Sequence, residues 1–536
     1  MPWPSTCSSV AARRWPGPCS CPCPGQHRCA LRRRSPDVLT MLWIALYLPQ
    51  LPLQALPGSH TGFEAALPVA VTEQHMLLSA NRAAHALGVR AGQSVATALS
   101  LLPQLVVFPR DRPREAALVE RLALALAALT PHLSLTPDGV LLEVQSTLRL
   151  FGGIHALLHR AQALARTSGM QVRTGCAPTP GAAWLFATSG LARRHALQAR
   201  SSAQQLDRLP VASLARLLPP SPHQSELLQA LGIRTFGALR ALPRAGLQRR
   251  LGVDLGRALD RCYGDAPDPR PWFVPPERFL ARRELLQRAE EAAVLMAAVE
   301  ALLPALRGWL QLRWQAVTVL ALRLRHEHGR APCPDTRLRL QLSAPSRDIA
   351  QLALLWRERL QRHALAAPVY ELALELEAAV PHGGTPGELL PAPGRQDGEH
   401  AALLDRLTAR LGSDHVQRWV PQADHRPEHA QRVRSAGEPP PAPFATTTPA
   451  PAAPRPLWLL PLPLPLASDA LGRPRHGSPL RVCSRAERIE AGWFDGALVR
   501  RDYHVAEGAD HRLRWIYREH PGDASSGGWF LHGWFG

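Results

Sequence analysis

Two apolar runs, Leu133-Ser134-Leu135 and Val140 to Val144, flank the tetrapeptide Thr136-Pro137-Asp138-Gly139. Proline fixes φ, aspartate bonds its own backbone and glycine accepts unusual φ values, so together they specify a tight turn. The stretch is expected to fold as a β-hairpin. Upstream, Leu42-Trp43-Ile44-Ala45-Leu46-Tyr47-Leu48 is an uncharged strand pattern, and neither Asp nor Glu occurs from Met41 to Phe63. Between the two, Arg114 to Leu129 places its apolar residues at helical spacing. Further strands are expected at Leu67 to Val71 and Val172 to Gly175. Helices are expected at Ala80 to Leu87, from Leu150 to Ser168, and at Gly181 to Leu191. Strands and helices alternate, so residues 41–200 read as mixed α/β.

A chain of 536 residues is too long for one core, and several domains are expected. The net charge is +19, and all 62 basic residues are arginine. Arginine offers a planar, permanently charged fork that fits phosphate. This surplus favours a polyanionic partner, nucleic acid ahead of membrane, with a merely solvated basic surface as the alternative. Of the nine cysteines, five (Cys7, Cys19, Cys21, Cys23 and Cys29) crowd the first residues, and Cys176, Cys262, Cys333 and Cys483 are scattered. None has metal-site or redox spacing, which suits free thiols in a reducing cytosol. Cys19-x-Cys21-x-Cys23 lacks the CxxC spacing of a tetrahedral zinc site, and no metal site is expected. Residues 1–40 are rich in Pro, Cys, Ser and Arg without periodicity. They read as a disordered or misassigned extension, with Met41 as the true start. Arg32-Arg33-Arg34 before an apolar run is also a signal-peptide pattern, but Pro49 and Pro52 interrupt that run. No other stretch is expected to span a bilayer.

Residues 201–274 read as short helices. In Leu228-Gln229-Ala230-Leu231-Gly232-Ile233-Arg234-Thr235-Phe236, a helix ends at Gly232 and another starts near Thr235. This helix-hairpin-helix pattern lets backbone amides approach a phosphate, so Gly232, Ile233, Arg234 and Thr235 are candidate DNA contacts. From 275 to 380 the expected order is β-α-β-β-α-β, the ferredoxin-like repeat. Its long helix is expected at Ala289 to Trp309, and its last strand at Val369 to Leu376. Arg337-Leu338-Arg339-Leu340 alternates, giving one arginine face and making Arg337 and Arg339 candidate contacts. Residues 436–454 are Pro/Ala-rich and read as linker. Beyond it, alternating runs suggest a small β-rich module. Its tail, Trp529-Phe530-Leu531-His532-Gly533-Trp534-Phe535-Gly536, is either an exposed partner anchor or a core strand.

The succession of mixed α/β, helix-hairpin-helix and basic β-α-β-β-α-β segments over 41–380 resembles Y-family DNA polymerases. Asp424-His425-Arg426-Pro427-Glu428, Arg455-Pro456-Leu457-Trp458-Leu459-Leu460-Pro461, Glu487-Arg488-Ile489-Glu490-Ala491-Gly492-Trp493, Arg501-Asp502-Tyr503 and Gly528-Trp529-Phe530-Leu531-His532-Gly533 are similar to the ImuB-type branch. That branch comprises polymerase-like proteins of bacterial SOS mutagenesis cassettes. The resemblance implies a multidomain α+β fold. A palm would span 41–200 with fingers inserted at 53–110. A helix-hairpin-helix thumb at 201–274 and a ferredoxin-like little finger at 275–380 would follow. A connector at 381–454 and a β-rich partner-interaction module at 455–536 would complete it.

In the active family a first-strand aspartate and a hairpin Asp-Glu hold two Mg²⁺ ions. The register places Ala45 at the first position and Tyr47 two residues on. At the hairpin Asp138 is retained, Gly139 replaces the second carboxylate, and Glu143 matches an acidic residue further along. Asp138 reads more simply as a turn residue. The triphosphate-gripping Tyr and Arg correspond to Arg82 and His85, after Asn81. A palm Asn-Lys pair corresponds to Thr179-Pro180, and the sugar-screening aromatics to Pro49-Gln50. The resemblance implies a non-catalytic accessory of translesion synthesis, without cofactor. An active error-prone polymerase using Mg²⁺, and a structural DNA-binding protein without a repair role, are the alternatives. Implied partners are damaged DNA, the sliding clamp, an ImuA-type RecA-like protein and an error-prone C-family DNA polymerase. Implied location is the bacterial cytoplasm, at the nucleoid and away from membrane. For the clamp, Gln351-Leu352-Ala353-Leu354-Leu355 fits by letters but reads as a helix core. Leu389 and Leu390, in a Pro/Gly-rich connector, are the preferred candidates.

Overall fold

The computed structural model describes residues 41–56, 67–191, 194–219, 221–327, 333–382, 395–435, 454–520 and 527–536. The N-terminal extension, the 436–453 linker segment and the clamp candidates Leu389 and Leu390 lie outside the described residues.

The uncharged strand β1 (Trp43–Tyr47) is the reason the first sheet forms as it does. It pairs antiparallel with β6 (Gly139–Glu143) on one side and β7 (Arg173–Ala177) on the other. Strand β5 (Leu133–Thr136) completes the hairpin and the order β5-β6-β1-β7. An interior strand covered on both faces has no place for charge, which accounts for the unbroken apolar run. On one face Ile44, Leu46, Val140 and Leu142 pack under Leu118, Leu122 and Leu157 of the helices Arg112–Leu126 and Ile154–Thr167. On the other, Trp43, Ala45, Leu141 and Ala177 meet the helix Pro180–Thr188. A smaller sheet of β2 (Val69–Glu73), β3 (Met76–Ala80) and β4 (Val106–Pro109) carries the short helices Arg82–Ala86 and Val95–Leu101.

Five helices from Ala199 to Tyr263 share the core of the Ala45 face through Leu206, Leu228, Phe236, Leu251 and Leu259. The second large sheet holds β8 (Leu280–Ala289), β9 (Gln315–His326), β10 (Thr336–Ser346) and β11 (Val369–Pro381), ordered β10-β9-β11-β8 and antiparallel throughout. The element order is the expected one, but the strand order corrects the ferredoxin-like expectation. A ferredoxin-like sheet is centred on its first and third strands, whereas here the second and fourth are central. The expected long helix is also two, Ala292–Glu300 and Leu303–Leu312, with Pro304 in the first turn of the second. By length and composition Ala292–Leu312 could cross a membrane, contrary to expectation, but 72% of its apolar stretch is buried in this core. Gly308 brings this helix onto Arg112–Leu126: a β-carbon there would lie 1.7 Å from the Leu124 carbonyl oxygen.

A helix (Arg395–Leu411) and a hairpin of β12 (Gln417–Pro421) and β13 (Gln431–Ser435) precede the C-terminal module. That module is a β-rich half-barrel of β14 (Trp458–Ser468), β15 (Pro474–His476), β16 (Ser478–Pro479), β17 (Arg481–Val482), β18 (Glu487–Ala491), β19 (Val499–Glu507), β20 (Leu513–Glu519) and β21 (Trp529–Trp534). The aromatic tail is a core strand. It lies between β14 and β20, with Leu531 and His532 buried.

Candidate functional site

The hairpin turn brings Asp138 and Gly139 to one end of β6 and leaves Glu143 at the other. At about 3.4 Å per residue, roughly 14 Å of strand separate Gly139 from Glu143. Gly139 pairs with Tyr47 and presses on the neighbouring backbone. A β-carbon there would lie 2.1 Å from the Leu46 carbonyl oxygen, closer than any carbon can approach. Ala45 is fully buried in an apolar cluster with Leu141 and Trp184. Tyr47 meets Trp184 edge-on at 5.7 Å, and Trp43 stacks on Trp272 at 5.9 Å.

The retained carboxylates are occupied. Asp138 faces the Arg216 guanidinium at 3.8 Å, and Arg216 also lies 5.4 Å over the Tyr47 ring. Burial pushes the Asp138 carboxyl up from its ordinary value, while Arg216 pulls it back. Glu143 accepts the Gln145 backbone N–H at 2.8 Å and lies 3.7 Å from His132. Ala45 and Gly139 offer no side-chain oxygen, and the two carboxylates sit at opposite strand ends. The residues present do not fit a pair of Mg²⁺ ions, which needs convergent oxygen ligands.

The nucleotide-gripping positions have structural duties. Asn81 is buried, accepting from Ala84 N–H at 2.9 Å and Val69 N–H at 3.1 Å while donating to Leu67 O at 2.7 Å. Arg82 and His85 lie on the short helix that Asn81 caps. Thr179 caps its helix at Ala182 N–H, and its hydroxyl donates to Cys262 O at 2.7 Å. Pro180 occupies the first turn of that helix. Gln50 adopts a left-handed φ of 54° at the start of Leu51–Gln54.

The helix-hairpin-helix expectation corresponds to Pro222–Ala230, a turn at Gly232 with φ +67°, and Phe236–Arg240. Gly232 and Arg234 are exposed, Thr235 caps the second helix at Ala238 N–H, and Ile233 is buried in the core. A side-chain contact to DNA is thus open to Arg234 and closed to Ile233. Arg249 and Arg250, on Arg244–Leu251, are exposed and have no ion-pair partner among the described residues.

The arginine face of the second sheet is different. Arg337 pairs with Glu377 at 2.8 Å and Glu375 at 3.3 Å, and Arg339 pairs with Glu377 at 2.8 Å. Arg323 approaches Glu375 at 3.6 Å, and Arg325 pairs with Glu371 at 3.0 Å. Glutamates on β11 therefore offset the arginines of β9 and β10. Read one strand at a time, the sequence conceals this, because the compensating charge comes from a different strand.

The Asp424–Glu428 stretch proves to be an internal fastening. Arg426 is buried and donates to both Asp424 and Asp495, and to Ala497 O at 3.3 Å. Glu428 pairs with Arg501 at 2.8 Å and faces the buried His532 at 4.0 Å. Tyr503 and His532 Nδ1 share a 2.8 Å hydrogen bond, and Tyr503 stacks on Trp515 at 4.0 Å. The alternative clamp stretch buries Leu352 and Leu355 within the helix Ile349–Arg362, as a helix core does.

Residues 63–188 match the model of the impB/mucB/samB family. The chain is 28% identical over 481 residues to Protein ImuB of Caulobacter vibrioides strain NA1000 / CB15N, covering 84% of this chain and all of that one. Protein ImuB of strain ATCC 19089 matches equally. Among solved structures, DinB from Sulfolobus solfataricus is 15% identical with a TM-score of 0.36, covering 64% of this chain and 100% of that one. A Y-family DNA polymerase chimera is 16% identical with the same TM-score, covering 63% and 99%. The chain thus carries a region similar to the impB/mucB/samB family and is similar to Protein ImuB over the whole length of that relative.

Proposed function

We propose that this protein is a non-catalytic, polymerase-like DNA-binding factor of damage-induced mutagenesis, acting in a bacterial cytoplasm. The observation that carries the reading is the contact between Gly139 and Leu46, which leaves no room for a second hairpin carboxylate. The carboxylate-free β1, with Ala45 sealed under Trp184, supports it. On this reading 41–200 is a palm bearing the 53–110 fingers, 201–274 a thumb and 275–380 a little finger. DNA phosphates are gripped at Gly232, Arg234, Arg249 and Arg250 more than at the glutamate-paired Arg337 and Arg339. The sliding clamp is engaged through Leu389 and Leu390. The 455–536 module joins an ImuA-type RecA-like protein and an error-prone C-family polymerase.

Primer extension by the purified chain with Mg²⁺ or Mn²⁺, alone and then with clamp and partner polymerase, tests this. Extension is expected only when the partner polymerase is present. Incorporation by the chain alone that is abolished by Asp138→Ala would overturn the reading.

A further inference from the structure

A cleft of about 550 Å³ lies between the helix Arg112–Leu126 and β8. It is on the far side of the first sheet from Ala45 and Gly139, because this helix covers the Ile44–Leu46 face. Leu118, Leu124, Pro276 and Phe279 form an apolar wall, and Arg121 and Arg283 share the interior. Arg121 donates to the Arg282 carbonyl at 3.2 Å, and its buried Nε has no acceptor. Of the carboxylates lining the cleft, Asp111 and Glu284 are held by Arg114 and Glu371 by Arg325, while Glu120 forms no ion pair with Arg121 or Arg283 among the described residues. No ion pair is formed by Arg121 or Arg283 among the described residues. Two partly buried like charges without an ion-pair partner are costly, and native proteins pair such groups.

We propose that this cleft binds a phosphate-bearing ligand of nucleotide size, its phosphate held between Arg121 and Arg283. Guanidinium forks fit phosphate oxygens in pairs, and the orphaned Nε supplies a donor already in place. The cleft volume lies in the range of small-ligand sites, and the apolar wall suits a base or sugar. Burial together with the like charge of Arg283 lowers the Arg121 guanidinium to about 10, the response expected of a cation missing its anion. Because Arg121 and Arg283 come from different sheets' layers, the ligand would also tie the first sheet to the second. The site is independent of the metal positions and of the thumb arginines. Its failure would therefore leave the proposed function untouched.

Thermal unfolding of the full chain at constant ionic strength, with chloride exchanged for inorganic phosphate, pyrophosphate, dATP or a short DNA duplex, tests the proposal. A saturable rise in Tm is expected that is absent in Arg121→Met/Arg283→Met. In chloride alone this double variant should be at least as stable as the parent, since it removes two unpaired like charges. A response to pyrophosphate and dATP identifies a free phosphate ligand. A response to duplex alone, still requiring both arginines, identifies a DNA phosphate. Should the double variant fold poorly, Arg121→Lys keeps the charge without the fork, and calorimetric affinity for pyrophosphate should fall roughly tenfold. Equal Tm in phosphate and chloride, or a response that survives in the double variant, overturns the proposal.

Discussion

Gly139 rests against the Leu46 carbonyl so tightly that a β-carbon added to it would lie 2.1 Å from that oxygen. The absent second carboxylate is thereby built into the strand spacing and is not a simple side-chain exchange. Gly139→Glu should not create primer extension. It should instead push β6 from β1 and lower stability by about 1–3 kcal/mol or more, seen as a reduced Tm. A Gly139→Glu protein that keeps the parental Tm and extends a primer would contradict this.

Exposed arginines without carboxylate partners should matter most for DNA. Arg249→Glu with Arg250→Glu should weaken binding and flatten the salt dependence, by roughly 0.9 per lost phosphate contact. Arg337→Ala with Arg339→Ala should change both less, because Glu375 and Glu377 already engage those side chains. Fluorescence anisotropy across a salt series compares the two pairs, and the reverse ranking would relocate the DNA surface.

Arg426 links the hairpin of β12 and β13 to the half-barrel through Asp495. Arg426→Ala leaves Asp424 and Asp495 without their shared partner and should lower the Tm. Limited proteolysis should then cut the module free under conditions where the parent resists. Gly492 should be equally intolerant, since a β-carbon there would meet the Ala497 carbonyl oxygen at 2.1 Å.

The half-barrel should be acid-labile. Burial lowers His532 to about 4, against an ordinary value near 6.5. Between those values the unfolded chain binds a proton that the folded chain refuses. Stability is therefore complete above about pH 6.5 and declines toward pH 4, by about 3 kcal/mol at most. His532→Gln, which can still bond Tyr503, should flatten this slope in near-ultraviolet circular dichroism melts. An unchanged slope would mean another group is responsible.

Gly308→Val should separate the helix Leu303–Leu312 from Arg112–Leu126. Small-angle scattering should show a larger radius, while the secondary structure content is kept.

Local rules made much of the fold legible. The Pro137-Asp138-Gly139 turn, the apolar run of β1 and the helical spacing beyond Arg112 all act between near neighbours. The interior placement of β11 was hidden, because strand order depends on pairing between residues far apart in sequence. The same reason concealed the charge balance at Arg337 and Arg339, whose partners lie 38 positions away. Arg426 resembled a functional signature because its partner Asp495 is 69 positions distant. That Arg216 would neighbour Asp138, and that Gly139 would rest on Leu46, required the packed structure.

Among the described residues, strand β14 meets β15 at Ala467 and Ser468 only, and most of its outer edge is unpaired. Pro461, Pro463 and Pro465 stand at alternate positions along it. Proline cannot donate to the ladder with β21, so the missing N–H groups turn toward that open edge. An incoming strand would find acceptors there with almost no donors, despite the exposed Leu457, Trp458 and Leu462 nearby. The edge is therefore closed to strand-by-strand polymer growth. A protein that accumulates suddenly can reach high local concentration without its stickiest module seeding fibres, and any companion must recognise side chains rather than backbone.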